Sequence, residues 1–190
     1  MPIRRVLANI AELTKDADQL VLTADAAAAA STLTVQSILG VSTNKLLMIG
    51  EPGAENTEII ATPASSAPSG STVTLAANLA QAHPAGTTVY VIRFNQVRFY
   101  NATTEDDANV SDSGLTALAA AQNIDPTSIN NHFDDTTYTS GYYYYRFSDS
   151  VNSVNDIYSA PISWALSEPA FDRNKVGYIL NFVQHKLGFE

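Results

Sequence analysis

Six short apolar segments separated by turn residues constrain the fold of this chain more than any other feature of its sequence. Each is four or five residues long and carries β-branched or other apolar residues in a pattern typical of strands. They lie at residues 20–23, 31–35, 45–49, 57–61, 72–75 and 88–92. The turns Gly50-Glu51-Pro52-Gly53 and His83-Pro84-Ala85-Gly86 combine a proline that fixes φ with a glycine that permits positive φ. This spacing predicts a small β barrel or sandwich over residues 20–94.

A second β unit is predicted over residues 95–165. Gln96-Val97-Arg98-Phe99-Tyr100 alternates as a strand does, and Tyr142-Tyr143-Tyr144-Tyr145-Arg146-Phe147 has high strand propensity. The last strand, 157–164, contains Pro161 and is therefore expected at a sheet edge. Alternation puts Tyr142 and Tyr144 on one face and Tyr143 and Tyr145 on the other. One pair is expected in the core, and the other is either ordinary surface or a stacking surface for a sugar or a neighbouring subunit.

Both ends of the chain carry helical patterns. Apolar residues at helical spacing in 1–19 predict a helix that lies on its own domain, or an arm that orders against a partner. In 166–190 a linker precedes a helix over 173–187, which packs either on its own β domain or on another subunit. The apolar residues of the two segments are the candidate subunit-interface residues: Val176, Ile179, Leu180, Val183, Leu187, Ile3, Val6, Leu7 and Ile10. The predicted fold class is mainly β, with two small barrel or sandwich units between these segments.

The charge balance excludes several classes of partner. Net charge is −9, with ten basic and 19 acidic side chains, and phosphate binding needs a basic surface. The same balance argues against an anionic membrane surface. No apolar run reaches the roughly 18 residues of a spanning helix. We therefore expect neither sequence-specific nucleic-acid binding nor membrane association.

No residue pattern predicts catalysis, a cofactor or a metal. There is no cysteine, and His83, His132 and His185 lie in separate segments without metal-ligand spacing. No G-x-S-x-G nucleophile motif occurs. Residues 99–160 hold nine acids and one base. The acidic pairs and triplets there, including Glu105-Asp106-Asp107 and Asp134-Asp135, are either solvated loops that keep the protein soluble or calcium ligands. The protein is predicted not to be an enzyme.

The order of strands and turns resembles known virion proteins. Thr32-Leu33-Thr34-Val35, the stretch from Leu47 to Glu55, Val73-Thr74-Leu75 and the stretch from Ala82 to Tyr90 together resemble a β module of tailed-bacteriophage virion proteins. The following unit is similar to a fibronectin-III or immunoglobulin-like sandwich. In that likeness, 143–147 is the penultimate strand and 158–163 the last.

This resemblance implies a structural role in a phage particle. The expected function is a head–tail connector or neck (adaptor) ring subunit that joins portal and tail. The expected partners are further copies of the chain in a ring and other virion proteins such as portal, capsid or tail proteins. The expected location is the virion, assembled in the bacterial host cytoplasm. The alternatives are a capsid decoration or tail or fibre protein, and a carbohydrate-binding adhesin module whose site would include Tyr142–Tyr145.

Overall fold

The computed structural model describes residues 3–105, 114–138 and 140–163, and these form a mainly β protein. All strand pairs within these ranges are antiparallel. The helix predicted over 173–187, its linker and its five interface residues lie outside them. No helix within them is long and apolar enough to cross a membrane.

The strands are β1 (Arg4–Asn9), β2 (Asp18–Val21), β3 (Thr32–Thr34), β4 (Leu46–Ile49), β5 (Glu58–Ala61), β6 (Thr72–Thr74), β7 (Thr88–Ile92), β8 (Gln96–Ala102), β9 (Thr116–Ala117), β10 (Gln122–Asn123), β11 (Asn130–Asp135), β12 (Tyr142–Asp149), β13 (Val154–Tyr158) and β14 (Ile162–Ser163).

The six strands predicted in the first unit are confirmed as β2 to β7. Four of them form a sheet in the order β2-β7-β4-β5, and β3 pairs with β6 in a separate two-stranded sheet. Side chains such as Leu20, Leu33, Leu47 and Val73 fill the core between the two sheets. The barrel alternative is wrong, because the described strands form separate four-stranded and two-stranded sheets that do not close into one barrel.

Strand β4 is buried on both of its faces. Leu47 and Ile49 point into the core of the first unit, whereas Leu46 and Met48 belong to a second core. That second core also contains Tyr90 and residues from β1, β8 and β12. The domain boundary predicted between residues 94 and 95 stays a prediction. It falls between β7 and β8, and both of these strands contribute side chains to the second core.

The helix expected in 1–19 is wrong for the residues described. Residues 4–9 form strand β1, which pairs with β11 from Arg4 opposite Asp135 to Asn9 opposite Asn130. A single 3-10 turn, Ile10–Leu13, follows. The apolar residues Val6 and Ile10 fit both a helical and an alternating period, and Ala8 completes the alternation. Strand pairing prevails because Val6, Ala8 and Ile10 then all enter the core together.

The second unit has two layers. Its larger sheet runs β10-β8-β12-β13, with β9 added beside β8 and β14 beside β12. The two strands β1 and β11, which we call the β1–β11 ribbon, pack on one face of this sheet. There Phe133 of the ribbon stacks on Phe99, with ring centroids 6.0 Å apart. The predicted last strand is present in two pieces, β13 and β14, separated at Pro161.

The tyrosine run divides differently from the expectation. Alternation holds, because Tyr143 lies in the core under the ribbon and Tyr144 in an aromatic cluster on the opposite face. However, these two tyrosines are both fully buried, and Tyr142 and Tyr145 are both half-buried. Each face of β12 therefore buries one tyrosine, and no face presents an exposed pair.

The predicted turn at residues 50–53 joins the two units. Gly50 and Gly53 adopt φ of 105° and 85°, which L side chains rarely adopt. The Gly53 N–H donates to the carbonyl oxygen of Pro126 at 2.8 Å, and the Tyr90 hydroxyl donates to the Glu51 carboxylate at 2.7 Å. Contacts with Pro126 of the second unit and with Tyr90 of the first unit therefore hold this turn in place.

Candidate functional site

A surface depression lies where the β1–β11 ribbon meets β12, β13 and β14. We call it the Tyr145 groove; it encloses about 580 Å³, and its lining includes Leu7, Asn9, Glu12, Tyr145, Asp156 and Ile162. A smaller depression of about 220 Å³ adjoins it and shares Glu12 and Asp156.

Glu12 reaches the groove through the 3-10 turn. The Asn9 side chain accepts a hydrogen bond from the Ala11 N–H at 2.9 Å, which caps the turn. Buried Ile10 anchors the turn in the core, so that exposed Glu12 projects over the sheet. The Tyr145 hydroxyl donates hydrogen bonds to the two carboxylate oxygens of Glu12, at 3.0 and 3.1 Å.

Asp156 reaches the same groove through a β-bulge. Arg146 pairs with Tyr158 and Ser148 pairs with Asn155, so β13 contains one extra residue between these pairs. A bulge re-aims the side chain it carries. Asp156 consequently faces the Tyr145 side of the sheet, whereas Tyr158 lies in the aromatic cluster on the opposite face.

The opposite face of the sheet holds β13 in place. The Arg146 guanidinium lies 4.7 Å from the Tyr158 ring centroid, and its Nη2 donates to the Tyr100 hydroxyl at 3.0 Å. The Tyr100 and Tyr158 rings meet edge to face at 5.2 Å. This cluster of one arginine and two tyrosines stabilises the bulged strand that carries Asp156.

Tyr145 is held in a neutral form. Its ring packs against Phe147 at 5.4 Å and Phe99 at 6.5 Å. Burial, then the negative charge and hydrogen bond of Glu12, and then Asp156 raise its pKa well above the ordinary value. The hydroxyl is therefore a hydrogen-bond donor at physiological pH.

We expect tyrosine ionisation in the folded protein to occur in two steps. Ordinary tyrosines titrate near pH 10. Burial and the Glu51 carboxylate raise the pKa of Tyr90 to about 12, and burial with Asp135 raises the pKa of Tyr143 further. Because these pKa values are higher in the folded state, their contribution to stability is complete below about pH 10 and is lost as pH rises toward 12. Tyrosinate absorbance against pH measures this, and a single step near pH 10 before unfolding would contradict it.

The groove is acidic and has a partly apolar wall. Its lining contains the carboxylates of Glu12 and Asp156 and, among the described residues, no lysine or arginine. Leu7 and Ile162 supply apolar surface beside them. Such a site favours a ligand that combines positive charge with apolar groups.

The outer face of the β1–β11 ribbon adds an exposed surface next to the groove. Ile3 is 64% exposed and Leu7 is 45% exposed. Between them, Arg5 makes two hydrogen bonds to Asp134, at 2.7 and 2.8 Å. The hydrogen bond from Arg5 is the main cause that holds the pKa of the Asp134 carboxyl below its ordinary value.

The predicted interface residues near the N-terminus separate into two pairs. Val6 and Ile10 are 1% and 0% exposed and pack in the chain's own core. Ile3 and Leu7 lie on the opposite face of β1 and remain available to a partner. The interface assignment itself stays a prediction.

The described histidines have structural surroundings. His83 is buried, and its Nε2 lies 2.8 Å from the Glu58 carboxylate, which also accepts the N–H groups of Ala80 and Gln81. These hydrogen bonds hold the loop that precedes β7 against Glu58 of β5. His132 is exposed on the ribbon opposite Leu7, and His185 lies outside the described residues.

The acidic pair Asp134-Asp135 is engaged by other groups. Asp134 binds Arg5, and buried Asp135 accepts a hydrogen bond from the Tyr143 hydroxyl at 2.8 Å. Within the ranges that the structure covers, no three His, Asp or Glu side chains form a group that could hold a metal ion. Asp106 and Asp107 of the other acidic loop lie outside those ranges.

Sequence reasoning missed Glu12 and Asp156 as members of one site. The alternation of Val6, Ala8 and Ile10 could have indicated the strand that brings Glu12 to β12. No local signal marks the bulge at Asp156, because it depends on the register against β12.

Comparison with protein-family models, curated proteins and solved structures finds no match for this chain.

Proposed function

We propose that this chain is a non-enzymatic structural subunit of a tailed-phage virion, and specifically a head–tail connector or neck ring protein between portal and tail. Its partners are copies of itself in a ring and neighbouring portal, capsid or tail proteins. It acts in the virion, after assembly in the host cytoplasm.

The observation that carries this proposal is the open β1–β11 ribbon. Among the described residues β1 pairs only with β11, so its other edge offers backbone groups to a neighbouring chain. Exposed Ile3 and Leu7 supply apolar contact area on the adjoining face. The Tyr145 groove, which Leu7 also lines, continues this surface. An edge, an apolar face and a groove together suit a subunit that binds its neighbours.

The sequence resemblance supports the same proposal. The strand and turn order of the first unit resembles a β module of phage virion proteins, and its six strands are all present. The second unit, with a sheet covered by a ribbon, is compatible with an immunoglobulin or fibronectin-III-like assignment.

Electron microscopy and sedimentation of the purified full chain test the proposal. We expect a ring-shaped oligomer, or attachment to purified portal particles. The double variant Ile3→Ser, Leu7→Ser should weaken either form of assembly and keep the wild-type far-ultraviolet spectrum. Leu39→Ser is the matched control, because Leu39 is 76% exposed but lies on a loop of the first unit. A monodisperse monomer that also fails to join portal particles would overturn the proposal.

The carbohydrate-binding alternative has less support. It requires exposed aromatic rings at 142–145, whereas Tyr143 and Tyr144 are fully buried. Specific binding in a glycan screen, lost on Tyr145→Ala, would favour that alternative over a connector.

A further inference from the structure

The pairing of strand β1 shows which of its backbone groups face its free edge. The Ile10 N–H donates to the Ile129 carbonyl at 3.0 Å, one position beyond the last pair of the β1–β11 register. Hydrogen-bonded pairs alternate along an antiparallel ladder, so Ala8 also exchanges its hydrogen bonds with β11. The N–H and C=O groups of Arg5 and Leu7 consequently point away from β11. No described residue forms a backbone hydrogen bond with these outward groups.

Two other sheet edges in the described part of the chain are covered by hydrogen bonds. The Gln36 N–H donates to the Val21 carbonyl at the edge of β2, and the Ala76 N–H donates to the Ala61 carbonyl at the edge of β5. By contrast, β1 keeps one continuous register over six residues and contains no proline or glycine. An unprotected edge of this kind is a template for the addition of another strand.

The Tyr145 groove lies along this free edge. Leu7 and Asn9 of β1 line it, and from β11 only Asn130 does so, at the end of the ribbon. Residues 159–162 line the groove on the side of β13 and β14. Because the larger sheet continues past β12 into β13 and β14, it forms a floor beneath the free edge, on which Tyr145 is half-buried. A strand about 4.8 Å from β1 would cover this floor and extend the upper layer of the unit.

We propose that the Tyr145 groove binds an extended peptide segment of a neighbouring virion protein, which adds as a strand to the free edge of β1. This inference rests on the proposed function and specifies how the partner is held. The segment is a single strand, because the edge of a folded sheet with its own covering layer would collide with the projecting floor. Its alternate side chains are apolar, because they face Tyr145, Phe147 and Ile162.

Glu12 determines the polar feature of the segment. Its carboxylate is exposed at the rim of the groove and accepts hydrogen bonds from the neutral Tyr145 hydroxyl. Glu12 forms no ion pair with a described lysine or arginine. A basic side chain at the position of the segment that passes Glu12 therefore adds attraction. The partner's segment is thus an extended strand with alternating apolar residues and one base.

Peptide binding to the full chain tests this assignment. The probe is an acetylated and amidated peptide of about eight residues that alternates valine with threonine and carries one lysine in place of a threonine. We expect nuclear magnetic resonance to show that the probe protects the Leu7 N–H from hydrogen exchange, whereas the Ala8 N–H is protected with or without it. Leu7→Pro removes the outward N–H and should weaken binding on the order of tenfold relative to Leu7→Thr. Leu7→Thr is the matched control, because it removes the same apolar side chain and keeps the N–H.

A second variant keeps the test decisive if Leu7→Pro does not fold, which circular dichroism checks. Glu12→Lys should weaken binding of the lysine probe several-fold and leave binding of the same peptide with threonine at that position unchanged. Glu55→Lys reverses another exposed acid, on the turn of the first unit, and should change neither affinity. Equal effects of Glu12→Lys on the two peptides would contradict the assigned position of the base.

The outcomes separate this inference from the proposed function. A probe that does not bind, or that binds Leu7→Pro as tightly as Leu7→Thr, overturns strand addition, while rings or portal attachment of the same protein leave the connector proposal standing. Protection of the Leu7 N–H in a self-associated chain without peptide shows that a second copy fills the edge, which overturns the assignment to another protein. Peptide binding by a chain that is monomeric and does not join portal particles supports strand addition and overturns the proposed function.

Discussion

Asp135→Ala is expected to lower the free energy of unfolding by about 4 kcal/mol, the largest effect of any single substitution considered. Asp135 is 2% exposed and accepts hydrogen bonds from the Tyr143 hydroxyl and from the N–H groups of Thr137 and Tyr138. Arg4, opposite it in the register, is 1% exposed. Truncation leaves the buried Tyr143 hydroxyl and two backbone N–H groups without their acceptor, and it removes the buried carboxylate that lies opposite Arg4 in the register. Urea denaturation measures the loss.

The neighbouring acid provides the control for this prediction. Asp134→Ala removes a carboxylate from the same strand, but its partner Arg5 is exposed and the pair is solvated. We expect its urea midpoint to stay close to wild type. If Asp135→Ala does not fold, Tyr143→Phe removes only one hydrogen bond and should cost about 1.5 kcal/mol. Equal midpoints for the Asp134 and Asp135 variants would show that the buried cluster contributes nothing.

Gly141→Ala is expected to cost about 3 kcal/mol, the second largest effect. Gly141 has φ of +108° at the start of β12. A Cβ there would collide with the carbonyl oxygen of Ala102 and approach the side chain of Asn101. Both neighbours belong to β8, so relief of the clash would disturb the β8–β12 pairing.

Gly70→Ala separates backbone strain from collision. Gly70 has φ of +61°, but a Cβ at that position meets no atom within 4 Å. We expect Gly70→Ala to cost about 1 kcal/mol, from the left-handed conformation alone. Thermal or urea unfolding of both variants measures the difference, and equal losses would mean that the contact with Ala102 relaxes freely.

The sequence predicts the first unit well because its signals are local. Turns with proline and glycine separate its strands, and the apolar residues between them, as in 45–49, need burial in any packing. The strand β11 was missed because Asn130–Asp135 is almost entirely polar. It forms because β1 supplies a partner and Phe133 supplies a core contact, and neither is visible locally.

The candidate site is less predictable because, like β11, it depends on contacts between segments that no local sequence pattern reveals. Glu12 lies 133 residues from Tyr145 in the sequence and meets it only after the ribbon packs on the sheet. Asp156 reaches the same groove through the bulged register of β13 against β12. Buried Arg4 also hid the alternation of β1, because an arginine is rarely a core residue. Long-range register, rather than composition, determines this groove.

The burial of β4 on both faces has a mechanical consequence. Because Leu46 and Met48 pack in one core and Leu47 and Ile49 in the other, neither core can loosen without exposing β4. A load applied to one half of the molecule is therefore transmitted to the other through close-packed side chains. We therefore expect the two cores, which share β4, to move together rather than bend against each other.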